Sequence, residues 1–342
     1  LEIIMAASSQ TGTSGIGKRM LLAGVGLVVV VAALYVGGWY YAVSALKGNV
    51  LRALGKRDNA GISAECTDLD FRGFPFKIGM YCSKVMVDDH VNGISASFDK
   101  LTSSAAVYQP GHIAWQLKSP AEIRNANGLA ISAEWTDLQS TLVTKGKGIE
   151  QGTTAIEGLK AGIVSAFNGQ NINVTAGHTE IHVRQNGDDL ETAIGVENAN
   201  AVIKDFPQIL PALTANADIT LSGKAGLLDG SDKDGRLNGT SGILHRVVAD
   251  IGDGRVMTLS GPFSFDEQGY VSGQFKLEID QLGPWRDGLK TAIPAAKHTI
   301  DLAAKLLKAM AAGGDNVSVD LTADHGNVTL SGFIPLGSIP PI

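Results

Sequence analysis

The chain has 342 residues, with 28 Lys plus Arg against 34 Asp plus Glu and a formal charge of −6. That acidic balance excludes electrostatic recognition of nucleic acid by the chain as a whole. Forty-two glycines and only 6% aromatic residues imply many turns and thin side-chain layers.

Residues 1–19 read as a cytoplasmic segment without fixed structure, and because the chain opens on Leu1 rather than Met, nothing is drawn from its first positions. From Met20 to Ala45 there is no charged side chain, and Lys18 and Arg19 stand immediately before. Roughly 24 residues of helix rise ~36 Å, enough to cross a hydrocarbon core of about 30 Å. Residues 20–45 are therefore expected to form a signal-anchor helix crossing a membrane once. The basic pair marks the cytoplasmic side, and Trp39, Tyr40 and Tyr41 suit an aromatic belt at the far interface. A cleaved signal peptide is the rival, since Val43-Ser44-Ala45 supplies small residues. Either way the remainder is exported.

Residues 46–342 then form one exported, β-rich domain, in which 26 basic residues face 33 acidic ones. Its first stretch, 43–57, continues the helix through Leu46, Val50, Leu51 and Leu54. Beyond Gly55 the period changes to two. Apolar residues alternate in Phe74, Phe76, Ile78, Met80 and Cys82, in Ile113, Trp115 and Leu117, in Ile219 and Leu221, in Val271 through Ile279, and in Val317, Val319 and Leu321. Asn92-Gly93, Asn127-Gly128, Asn186-Gly187, Asp253-Gly254 and His325-Gly326 punctuate these runs as turns. The fold class is mainly β: a long antiparallel meander folded over as a groove or sandwich, with two covering helices. Those helices are expected at Asp205–Asn216 and at Pro294–Ala312, the second with lysines on its open face and Gly313-Gly314 at its end. The octapeptide Ile62-Ser-Ala-Glu-Cys-Thr-Asp-Leu69 recurs as Ile131-Ser-Ala-Glu-Trp-Thr-Asp-Leu138, which reads as two equivalent strands.

Cys66 and Cys82 are the two cysteines, and in an oxidising compartment their default is a disulfide; a metal would find too few ligands there. His178, Glu180 and His182 resemble a ligand set, but Thr179, Ile181 and Val183 alternate with them, so they form the polar face of a strand. Asp229, Asp232 and Asp234 miss the spacing of a calcium loop. No nucleophile elbow, phosphate loop or paired-His zinc motif occurs. The expectation is a protein without catalytic residues, metal or cofactor.

Arg72-Gly73-Phe74-Pro75-Phe76 lies between the cysteines, where Gly73 permits a kink and Pro75 an unpaired edge. With the flanking cysteines, the N-terminal span, the stretch Tyr108-Gln-Pro-Gly-His-Ile113 through Ser119-Pro120 and a closing Gly332-Phe-Ile-Pro-Leu336, the chain resembles a proteobacterial envelope family, domain of unknown function 2125. The resemblance implies a periplasmic protein tethered to the inner membrane and supplies no catalytic residues. Its architecture also resembles tethered, groove-forming sheets that shield acyl chains.

Three functions follow as expectations. In the first, Phe74, Phe76, Trp115, Phe263, Phe265 and Phe275 line a groove that binds or passes acyl chains of inner-membrane lipids. The second is a dry-cored module that acts on another envelope protein. The third, a hydrolase, needs Asp68, Asp70 and His90 in one cleft.

Overall fold

The computed structural model describes residues 27–44, 47, 62–90, 93–126, 128–146, 148–165, 171–203, 212–232, 235–292, 294, 297–311, 314–332 and 334–342. The chain divides into two units, 1–53 and 54–342. In the first, α1 spans Leu27–Ser44, 18 residues of mean hydropathy 1.8. It is long and apolar enough for a membrane anchor or a signal sequence. Its outward Leu27, Val29, Leu34 and Tyr41 are all exposed. Residues 1–26 and 45 of the expected cytoplasmic segment and span lie outside the described residues. So does its expected continuation to 57, apart from Lys47.

The second unit is a single antiparallel sheet that does not close. Its first strands come in halves: β1 Ile62–Thr67 with β2 Asp70–Arg72, β3 Lys77–Cys82 with β4 Lys84–Asp89, and β5 Ile94–Phe98 with β6 Leu101–Ala106. The same holds for β7 Gln109–Leu117 with β8 Ala121–Asn125, and β9 Leu129–Glu134 with β10 Asp137–Lys145. Each half pairs with the matching half of its neighbour. Both branches then join the two ends of β11 Gly148–Ser165, an 18-residue strand about 60 Å long.

From there the meander runs through β12 Asn171–Asn186, β13 Asp189–Ile203 and β14 Leu213–Leu221; after the short α2 Gly226–Asp229 it continues through β15 Ser241–Asp250, β16 Val256–Phe265 and β17 Val271–Ile279. Helices α3 Leu282–Ala292 and α4 Lys297–Met310 are inserted before β18 Val317–Asp324, which nonetheless pairs directly with β17. β19 Asn327–Leu330 and β20 Ile334–Ser338 complete the sheet. The turns match the Gly signals: Gly93, Gly128, Gly187, Gly254 and Gly326 all have positive φ.

Three local expectations change. Leu213 to Asn216 begin a strand rather than end a helix, because Leu213, Ala215, Ala217, Ile219 and Leu221 alternate with polar residues and pair with β13 and β15; 204–211 lie outside the described residues. Phe74 and Phe76 are in a turn, not on β3: Gly73 has φ 118, the Phe74–Pro75 bond is cis, and Lys77 N donates to Gly73 O at 2.9 Å. The helix expected at 294–312 is α4, but its companion is α3, whose pattern is interrupted by Gly283, Pro284 and Gly288.

The principal core lies under these helices. Leu282 and Trp285 of α3, with Leu307 and Ala311, cover Ile251, Ile279, Val317, Val319 and Leu330. Lys290 Nζ donates to Asp301 at 2.8 Å and ties the two helices together. That hydrogen bond holds the Asp301 carboxyl below the usual range.

Candidate functional site

One face of the sheet is apolar from β1 to β20. Cross-strand partners on it include Ala105 with Ile113, Ile123 with Ile131, Ile131 with Ile163, Ile163 with Ile172, Ile181 with Ile194, Ile194 with Ala217, and Ala217 with Val247. Beneath α3 and α4 this face is buried. Across β1 to β14 it is buried only in places, such as Ala121, Leu138, Ala176 and Leu190: Ile113, Ile131, Ile163, Ile181 and Ala217 are only partly covered, and Ile194 is 36% exposed. A sheet packed dry against a second layer would bury these side chains.

A crease crosses the same sheet. It passes through Asp68, Ser83, Asp99-Lys100, Lys118 to Pro120, Trp135-Thr136, Gly158, Gly177 and Asn198, where ladder pairing stops and resumes. Across it the positions on the apolar side of one strand lie three residues apart instead of two: Cys82 and Val85, Phe98 and Leu101, Ile156 and Leu159, Ala176 and Thr179, Val196 and Ala199. One extra residue per strand bends the strand while keeping the apolar series on one side. Gly158 takes φ 62 at its place in this line, as Asp68 and Asn198 take φ 54 and 52.

Side chains from both half-sheets meet at the crease. Ala121, Trp135 and Leu138 are buried, with Phe98, Trp115, Leu117, Ile156 and Leu159 against them. Trp135 Nε1 donates to Leu117 O at 2.8 Å, and Ser119 Oγ to Trp135 O at 3.0 Å. At the edge, Cys66 and Cys82 are joined as a disulfide with Cα atoms 5.4 Å apart. The repeated octapeptide falls on the crease both times, so Cys66 and Trp135 occupy matching places. A covalent staple and an indole thus hold the same bend.

The six aromatic groove candidates fall in three places. Trp115 belongs to the crease cluster. Phe263, Phe265 and Phe275 share the apolar face of β16 and β17; Phe263 and Phe265 meet edge to face at 5.5 Å, and Phe263 overlies Gly242. Phe74 and Phe76 stand at the β2–β3 turn, 47% and 69% exposed, beside the β6–β7 turn with Tyr108. The structure brings the second group together and does not join the three. Asp68, Asp70 and His90 do not converge: Asp68 accepts from Ser83 Oγ at 2.8 Å, Asp70 pairs with Arg72, and His90 lies beyond the far end of β4.

On the polar face, His178, Glu180, His182 and Arg184 project from β12 as the alternation requires. His178 Nδ1 lies 2.6 Å from a Glu157 oxygen, whereas His182 meets Thr153 and Glu180. The Glu157 hydrogen bond raises His178 above the ordinary imidazole value. Because Ala193 is small, a furrow of about 430 Å³ runs between His182 and Arg184 on one side and Asp218 and His245 on the other. Among the described residues no group of three His, Cys, Asp or Glu side chains could hold a metal ion. Asp229 accepts from Ser231 N and Asp232 pairs with Lys224, so both are engaged locally.

In the sequence the crease is marked only by slips in alternation, at Cys82/Val85 and Ile156/Leu159. A family model described as an uncharacterized protein conserved in bacteria, DUF2125, matches residues 39–340. The chain belongs to that family. The DUF2125 match begins at Trp39 inside α1 and covers the disulfide, the creased strands, the aromatic turn and both covering helices. No curated protein matches this DUF2125 chain.

Proposed function

We propose that the protein is anchored in the inner membrane by α1 and that its periplasmic sheet binds or passes lipid acyl chains along the apolar face, in maintenance of the envelope. The observation that carries this reading is the partly exposed apolar face of β1 to β14, set against the buried core under α3 and α4. Such a surface is stabilised by an apolar occupant, and a chain that enters a bilayer has acyl lipid at hand. The Lys18-Arg19 flank favours export of the sheet, and the Cys66–Cys82 bridge suits an oxidising compartment. The role is binding rather than catalysis, with no cofactor.

The test is native mass spectrometry of the detergent-purified full chain with lipid extraction, beside an Ile181→Glu variant. Near-stoichiometric acyl lipid in the parent and its loss in a folded variant are expected. A clean lipid-free mass under gentle conditions overturns the reading.

A second reading has its own observation. Phe76 and Tyr108, 69% and 77% exposed on adjacent turns, suit contact with another envelope protein. Under it, mild cross-linking recovers one stable partner through this turn while the purified chain carries no lipid.

A further inference from the structure

Helix α4 has more apolar surface than its core contact uses. Ile300, Ala304, Leu307 and Ala311 form one stripe; Ala304 is buried, and Leu307 and Ala311 pack on the core. A second stripe, Leu302, Leu306 and Met310 at intervals of four, turns away from it, with Leu302 53% and Met310 45% exposed. His298 and Lys305 sit outward beside Leu302, and Lys297 and Lys308 flank them. Lys308 pairs with Asp315, while Lys297 and Lys305 make no ion pair with a described residue. Residues 282–315 carry five Lys or Arg against three Asp, although the chain as a whole is −6. The hairpin therefore stands as a local positive patch on an acidic protein.

Its place in the sheet matters as much. The chain enters β1 at Ile62, and in the alternating up-and-down path Ile279 and Val317, which flank the helical insertion, lie toward that same end of the strands. Phe74, Phe76 and Tyr108 lie toward the opposite end. Only residues 45–61 separate α1 from Ile62, a tether of at most about 60 Å.

We propose that the α4 face bearing Leu302, Lys305 and Met310 rests on the headgroup layer of an anionic bilayer, so that the sheet is held to the membrane at a second point besides α1. A short amphipathic helix with lysines beside an apolar stripe binds in this way, through shallow apolar insertion and attraction to anionic lipid. The inference rests on α1 being a membrane anchor; it does not require the apolar sheet face to hold lipid.

The test uses the full chain in nanodiscs, with an environment-sensitive fluorophore on Ala309→Cys, exposed in the last turn of α4, and a control label on Asn186→Cys. In discs containing phosphatidylglycerol, headgroup-nitroxide lipids should quench the Ala309 label at least about threefold more than the control, and high salt or a Lys297→Glu/Lys305→Glu pair should remove the difference. Equal quenching at both sites, or equal quenching in purely zwitterionic discs, overturns it. Shielding of the label from water without lipid quenching, with cross-links to a second copy, also overturns it and assigns the face to self-association. Failure of the chain to enter discs at all would instead remove the anchor reading. The lipid content measured by mass spectrometry is independent of all these outcomes.

Discussion

At the scale of single residues, the crease depends on a few backbone and hydrogen-bonding positions. Gly158 has φ 62, and a Cβ there would lie 3.0 Å from Thr136 Oγ1, which itself donates to Glu157 O at 2.8 Å. Gly158→Ala is expected to destabilise the sheet by about 1–2 kcal/mol, measured by urea unfolding in detergent solution. Next to it, His178 is held above its ordinary 6.5 by the hydrogen bond to Glu157, reinforced by the charges of Glu157, Glu197 and Glu180. A folded value raised above the unfolded one means that the pair stabilises fully below about pH 6.5 and that the contribution is lost as pH rises through the folded value. An NMR titration should place His178 above 6.5 and Glu157→Gln should bring it down; an unshifted His178 would refute the pairing. The histidines were legible from alternation alone, because period two puts His178 and His182 on the wet face whatever they touch. Their partners were not, since Glu157 is 21 residues away and only register brings it opposite.

Among the elements, the broken strands are best understood in pairs across the bend. Cys66 is the penultimate residue of β1 and Cys82 the last of β3, so the disulfide joins the two branches where the first strand has few neighbours. Replacing both cysteines with Ala should cost about 3 kcal/mol in the chain-entropy account of a loop this short, seen as a lower unfolding midpoint under oxidising conditions. No change would mean that Trp135 and its cluster hold the crease unaided. The octapeptide repeat marked equivalent strands correctly, yet its meaning emerged only with pairing, which sets both copies on one line. α3 has little local signal because Gly283, Pro284 and Gly288 weaken helix propensity, while Leu282 and Trp285 are held in the core with Ile279 and Val317.

Taken as a whole molecule, the sheet has two regimes, a covered end under α3 and α4 and a longer apolar expanse with partial cover. They respond differently to charge. Ile181→Glu lies on the partly covered expanse and should lower stability modestly, by about 1 kcal/mol, whereas Val319→Glu, in a site 5% exposed, should cost about 3 kcal/mol or more. Comparable large losses at both sites would show the expanse to be as dry as the helical core. The contrast also makes Ile181→Glu the useful variant for lipid binding, because it tests the surface without unfolding the sheet.

From the sequence alone came the apolar N-terminal helix, the antiparallel meander, the paired cysteines and the positions of most turns. Each rests on local chemistry: an uncharged run of membrane length, side chains alternating with period two, or a glycine where φ must be positive. Tertiary structure alone decided that the strands break along one line, that the aromatic candidates divide among three places, and that helices cover one end of the apolar face and leave the rest partly open. Alternation says which side of a strand is apolar, but it is the same for a packed layer and an open one; only pairing and coverage separate them.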